Sequence, residues 1–131
     1  MTNSDPLEKL IVTEAQAINR QELADLLSPY LSIDKETRSF HFSSEFRELP
    51  NAEKILVILS AVKARALVLD TTDETSPTEI IKMDIMPTGS VKGTLKTLAD
   101  SKDIKVENGK YHLPNYKIHQ VVARLTKKKK I

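Results

Sequence analysis

The stretch "SPTEIIKMDIMPTGSVKGTLKTLADSKDIKVENGKYHLP", residues 76–114, carries the clearest local structural signals in the chain. Ser76 is followed three residues later by Glu79, with Pro77 between them at the preferred first helical position. This pattern is a capping box, in which the serine side chain and the acid satisfy free backbone amides at a helix start. It predicts a short helix from Pro77 to about Met83.

A second helix is predicted directly afterwards. Pro87 forbids continuation of the first helix, and Gly89 supplies a permissive backbone for a tight turn. Ser90 is then expected to cap the new helix. Its apolar residues fall on one face, while polar and small residues point the other way; the apolar set is Val91, Leu95 and Leu98. Two helices joined by a short turn are expected.

The end of the stretch predicts a β-hairpin and a final helix. Ile104–Glu107 and Lys110–Leu113 flank Asn108-Gly109, a pair that tolerates the positive φ angles of a type I′ turn. Pro114 ends the second strand, and a last helix is expected from Asn115. Its apolar residues recur at helical spacing, at Ile118, Val121, Val122 and Leu125.

The residues before this stretch predict further helices and one more hairpin. The strongest helix is expected over Ala52 to about Leu69, capped by Asn51, with Asp70–Thr75 as a loop. A helix is also expected from Asp5 to about Ala17. A further helix is expected to begin after Asn19, with Asn19 as its cap and the Glu22 side chain bonding back to that cap, and to end near Ser28. Tyr30–Asp34 and Arg38–Phe42 are expected to form a hairpin, and Ser43–Leu49 could form one more helical turn or a linker.

The order helix, helix, turn, helix, hairpin resembles the winged helix-turn-helix superfamily over about residues 51–114. In this resemblance "PTEI" looks like the start of the support helix, "GSVKGTLKTLADSKDI" the recognition helix and "VENGKYHL" the wing. The expected fold class is therefore α+β, mostly helical, with a winged helix-turn-helix domain preceded by a small helix-plus-hairpin region. The expected divisions are residues 1–50 and residues 51–131, the second including the C-terminal helix and a basic tail.

The resemblance implies binding of double-stranded DNA, with the recognition helix in the major groove and the wing against the backbone or minor groove. It marks Ser90, Lys92, Gly93, Thr94, Lys96 and Thr97 as recognition-helix residues, and Asn108, Gly109 and Lys110 as the wing tip.

The residue types agree with this mapping, except that no arginine lies on the proposed recognition helix. Short polar groups and lysines suit a helix in the major groove, and its N-terminus can receive a phosphate. Gly93 costs roughly 1 kcal/mol of helix propensity relative to alanine, which fits close approach of a bulky object, although an incidental weak helix residue is the alternative. No arginine lies between Arg65 and Arg124, so the commonest bidentate guanine contact is missing and readout of DNA shape gains weight.

Charge is distributed unevenly along the chain. The net charge is +2, but residues 1–50 carry five basic and nine acidic side chains, while residues 51–131 carry fifteen basic and nine acidic ones. The chain ends in four consecutive lysines, Lys127–Lys130, followed by Ile131. This is a plausible footprint for a polyanion, with simple solvation of helices and tail as the alternative.

Several function classes find no support. The chain has no cysteine, its three histidines (His41, His112 and His119) form no HxH or HxxxH pair, and the motifs GxxxxGK[ST], GxSxG and HExxH are absent. We therefore expect neither enzymatic activity, nor a metal site, nor a cofactor, and no small-molecule ligand is evident. The longest apolar run, Ile55–Leu69, contains Lys63 and Arg65 and is too short for a bilayer. No membrane partner is expected, and cytoplasmic location is the default.

The function expected from the sequence is that of a DNA-binding protein and transcriptional regulator. The alternative is a winged-helix adaptor that mediates protein–protein contacts in a larger assembly. Residues 1–50 could pack against the core helix or against a copy of the chain; self-association into a homodimer is the favoured use, because many such regulators bind paired half-sites. A further alternative is that residues 19–42 form a degenerate second winged unit.

Overall fold

A computed structural model describes Leu7 and residues 19–129, and the side chains of the last helix as far as Thr126. The elements are α1 (Arg20–Leu27), β1 (Leu31–Ile33), β2 (Phe40–Phe42), α2 (Ser44–Arg47), α3 (Asn51–Leu69), α4 (Pro77–Lys82), α5 (Thr88–Asp100), β3 (Lys105–Glu107), β4 (Lys110–His112), a 3₁₀ turn (Asn115–Lys117) and α6 (Ile118–Lys129). The predicted α+β, mostly helical class is confirmed. Apart from Leu7, the predicted helix Asp5–Ala17 lies outside the described residues, as does the end of the lysine tail.

The centre of the molecule is α3. Its side chains are buried almost all round from Ile55 to Lys63, as expected for a helix enclosed by other elements. It packs against α1, α5, α6 and β4. The prediction that this segment is the central core helix is confirmed.

One cluster of buried side chains runs through both parts of the chain. It includes Leu23 and Phe46 from residues 19–50 together with Leu95, Leu113 and Leu125 from the remainder. Of the two arrangements left open for the amino-terminal region, the described residues show packing against the core helix of the same chain.

Two ion pairs attach other segments to α3. Glu53, which is buried, accepts a hydrogen bond from Arg124 Nε on α6 at 3.1 Å, and Lys63 Nζ, also buried, lies 2.9 Å from Asp73 Oδ2 in the loop after α3. A buried charge is costly unless it is paired, so these contacts fix the last helix and the loop relative to α3.

The β1–β2 hairpin is closed by the side chain of Asp34. Its Oδ1 accepts hydrogen bonds from the backbone amides of Glu36 and Thr37 at 2.8 and 2.9 Å, and its Oδ2 lies 3.1 Å from His41 Nε2. These bonds, the Thr37 amide first, lower the pKa of Asp34 to about 2. The hairpin predicted without a glycine turn is confirmed, because an aspartate side chain replaces the usual turn chemistry.

The second hairpin carries a contact that the sequence did not reveal. Asn108 and Gly109 both have positive φ, 52° and 77°, as the predicted type I′ turn requires. Thr75, predicted to belong to a loop, forms an antiparallel bridge to Tyr111 through two backbone hydrogen bonds of 2.8 and 2.9 Å. Thr75 Oγ1 also donates to Glu79 in the confirmed capping box. The hairpin is thereby connected to the start of α4.

Four local predictions, three about helix caps and one about the turn between α4 and α5, were wrong. Helices α3 and α5 begin at Asn51 and Thr88, with Pro50 and Pro87 as N-caps, so neither Asn51 nor Ser90 is a cap. Each proline has an extended backbone, and its carbonyl accepts the first intrahelical bond, which moves the helix start directly after it.

The other two corrections concern a turn and a cap. Gly89 lies inside α5, and the left-handed residue between α4 and α5 is Asp84, with φ 57°. Asn19 caps α1 as predicted, but the Glu22 carboxylate lies 2.8 Å from His119 on α6 instead of reaching back to its own cap. The left-handed backbone of Asp84 replaces the predicted turn at Gly89, and the contact with His119 replaces the predicted capping bond of Glu22.

Within the described residues, no helix combines the length and apolar character needed to cross a membrane.

Candidate nucleic-acid interface

The buried face of α5 fixes which residues the helix presents to solvent. Val91, Leu95 and Leu98 are buried, and the helix packs against α3 and α4. Because these three residues lie on one side, Lys92, Gly93, Lys96 and Thr97 remain exposed. The predicted division of this helix into apolar and polar faces is confirmed.

The two lysines of α5 project from the exposed face. Lys92 forms no ion pair with an acid among the described residues. Lys96 Nζ lies 3.4 Å from Asp100 Oδ2, with the two side chains 76% and 69% exposed. An exposed i, i+4 pair of this kind contributes only a few tenths of a kcal/mol, so Lys96 can leave Asp100 for another anion at little cost.

The surface around Gly93 is open. A Cβ atom built on this glycine would meet no atom within 4 Å. Packing within the chain therefore does not require glycine at this position, and an object outside the chain can approach the helix backbone closely here.

The three hydroxyl residues predicted for the interface lie on one flank of α5. Together with Gly93 and Leu98, they line a shallow groove of about 380 Å³ against the first residues of α3, Asn51 and Ala52. The hydroxyl residues are Ser90, Thr94 and Thr97. The structure thus brings four of the six predicted residues of this helix, these three and Gly93, into one concave surface.

The tip of the β3–β4 hairpin presents the remaining predicted residues, Asn108, Gly109 and Lys110, all exposed. The pKa of Glu79 at the start of α4 is lowered, chiefly by the hydrogen bond from the Ser76 amide. The hydrogen bond from the Thr75 hydroxyl and the positive charge of Lys110 lower this pKa further. Some of the positive charge at the hairpin tip is therefore offset by Glu79.

A second group of cations lies together in the folded chain, outside the residues predicted to bind DNA. Arg38, Arg47, Arg65 and Lys82 line one groove, although they come from four different segments. Nothing in their local sequence predicts this convergence, since only the tertiary fold brings the segments together.

No cluster of histidine and acidic side chains suited to a metal ion occurs within the part of the chain that the structure describes. Comparison of the chain with protein-family models, curated proteins and solved structures gives no match.

Proposed function

We propose that this chain is a cytoplasmic DNA-binding protein and transcriptional regulator that contacts duplex DNA through α5 and the β3–β4 hairpin, in the manner of a winged helix-turn-helix. The observation that carries the proposal is the exposed face of α5, on which Lys92 and Lys96 lie beside the open backbone at Gly93. The element order α3, α4, α5 and hairpin supports the winged-helix part of the proposal.

The chemistry of α5 suits a polyanion. Pro87 at its N-cap has no side-chain acceptor, so the amides of the first turn can bind a phosphate at the positive end of the helix dipole. Lysines on the exposed face supply the sequence-independent part of DNA affinity, and the hydroxyls of Ser90, Thr94 and Thr97 can donate to base edges or phosphates. The absence of arginine from this face favours modest specificity.

A titration of the full chain with random-sequence duplex DNA tests this proposal. Fluorescence anisotropy should show binding at about 50 mM salt that weakens by more than tenfold at about 200 mM, because phosphate contacts of Lys92, Lys96 and Lys110 would release nearly one counterion each. The slope of log affinity against log salt counts the phosphates contacted. No binding at low salt would contradict the proposal and favour the protein–protein adaptor.

We further propose that the chain binds DNA as a homodimer, because one small module buries little surface on DNA. Val68 near the end of α3 is 64% exposed and Leu67 beside it is partly exposed, which offers apolar surface for self-association. Sedimentation velocity at micromolar concentration should show a species of twice the chain mass. A single monomeric species at these concentrations would contradict the dimer without affecting the DNA proposal.

A further inference from the structure

An open groove of about 680 Å³ lies between the β1–β2 hairpin and the helices α2, α3 and α4. We call it the arginine groove. Its cationic lining residues are Arg38, Arg47, Arg65 and Lys82. It contains none of the residues assigned above to DNA.

The arginine groove carries positive charge without matching acids. None of its lining residues is acidic, and none of its four cations forms an ion pair with an acid among the described residues. Two acids close to the groove are engaged in hydrogen bonds of their own: Asp34 binds His41 and the turn amides, and Glu79, whose charge acts on Arg65, is held in its capping box. Like charges gathered in this way repel one another, so an anion in the groove would be stabilised.

Arg65 is already held in place at the base of this groove. Its guanidinium lies over the Phe40 ring, 4.6 Å from the centroid, and its Nη1 donates to the backbone carbonyl of Arg38 at 2.6 Å. Its Nε is buried and has no hydrogen-bond partner in the described structure. Burial lowers the pKa of Arg65; the charge of Glu79 raises it, and that of Arg38 lowers it. An anion accepting from this guanidinium would offset its lost hydration.

The backbone of the hairpin also holds Arg38 in position. Arg38 has a positive φ of 65°, and its amide donates to the Asp34 carbonyl at 2.8 Å, while the Asp34 amide donates to Ser39. The backbone that carries Arg38 is therefore already ordered in the free protein, which lowers the entropic cost of binding.

We propose that the arginine groove binds a small phosphate-bearing molecule with at least two negative charges. Arginine forks match phosphate oxygens in pairs, and several converging cations suit a polyanionic group better than a single carboxylate. A concave site of this volume is in the size range of small-molecule sites. Phe42 and Met83, both partly buried, line the same groove and offer apolar surface to the rest of the ligand.

Isothermal titration calorimetry of the full chain with inorganic pyrophosphate and with ATP tests the proposal. Both should bind saturably, and the double variant Arg47→Gln/Lys82→Gln should weaken ATP binding at least about tenfold, because two charged contacts are lost. Arg47 and Lys82 are exposed, so this variant should keep its fold, as far-UV circular dichroism will show. Arg20→Gln/Lys35→Gln removes the same charge from exposed positions outside the groove and should leave ATP affinity unchanged.

Three results would overturn the proposal. The first is that neither pyrophosphate nor ATP saturates the protein. The same holds if Arg47→Gln/Lys82→Gln and Arg20→Gln/Lys35→Gln lose affinity for ATP equally. The second is that ATP binding disappears in a Lys92→Glu/Lys96→Glu variant, which would place the anion on α5. The third is that the groove variant weakens duplex DNA binding while neither small probe saturates, which would assign the groove to nucleic-acid phosphates. Failure of DNA binding alone would leave this inference standing.

Discussion

Reversing both lysines on the exposed face of α5, Lys92→Glu/Lys96→Glu, should weaken duplex DNA binding roughly 100-fold at about 50 mM salt. Two lost phosphate contacts account for this factor, since each contributes about 0.9 to the slope of log affinity against log salt. The slope itself should become shallower by about two. Fluorescence anisotropy at several salt concentrations measures both quantities.

The folded structure should survive this double reversal. Both lysines are exposed, and the main local change is that the acid introduced in place of Lys96 would face Asp100, a like-charge pair that costs about 0.5 kcal/mol or less. Arg20→Glu/Lys35→Glu makes the same change in net charge at exposed positions away from α5 and serves as the matched control. Equal loss of DNA affinity in the two variants would mean that net charge, and not the α5 face, governs binding.

Features that depend on one residue or one turn could be predicted from the sequence. The Ser76–Glu79 capping box forms as predicted because its hydrogen bonds span only three residues. Asn108-Gly109 forms its turn because few other residue pairs tolerate two positive φ angles. The polar and apolar faces of α5 were also predictable, since helical periodicity alone determines them.

Contacts between distant segments could not be predicted in this way. The Thr75–Tyr111 bridge joins residues 36 positions apart, and Thr75 carries no strand signal of its own. Glu22 stands at the sequence position expected for a capping box. Its carboxylate nevertheless bonds to His119, because the packing of α1 near α6 brings the imidazole within reach. The arginine groove likewise depends on how the β1–β2 hairpin packs near α3 and α4.

Replacing Phe46 with alanine should destabilise the whole described domain by about 3–5 kcal/mol, a large share of the roughly 5–15 kcal/mol typical of a folded domain. Phe46 is completely buried, and its ring stacks on Phe42 with centroids 4.3 Å apart. Urea denaturation followed by circular dichroism measures the loss. Lys35→Ala, at an exposed position in the turn of the β1–β2 hairpin, is the control and should change the free energy of unfolding by no more than about 0.5 kcal/mol.

The same variant shows whether residues 19–50 and 51–129 unfold together. Phe46 belongs to α2, yet it shares one buried cluster with Leu95 of α5 and Leu125 of α6. Loss of its side chain should therefore lower the hydrogen-exchange protection of α5 amides as much as that of α1 amides, because a shared core unfolds as one cooperative unit. If α1 and the β1–β2 hairpin lost protection while α5 retained it, residues 19–50 would be an independent unit, and the half proposed to bind DNA would fold without them.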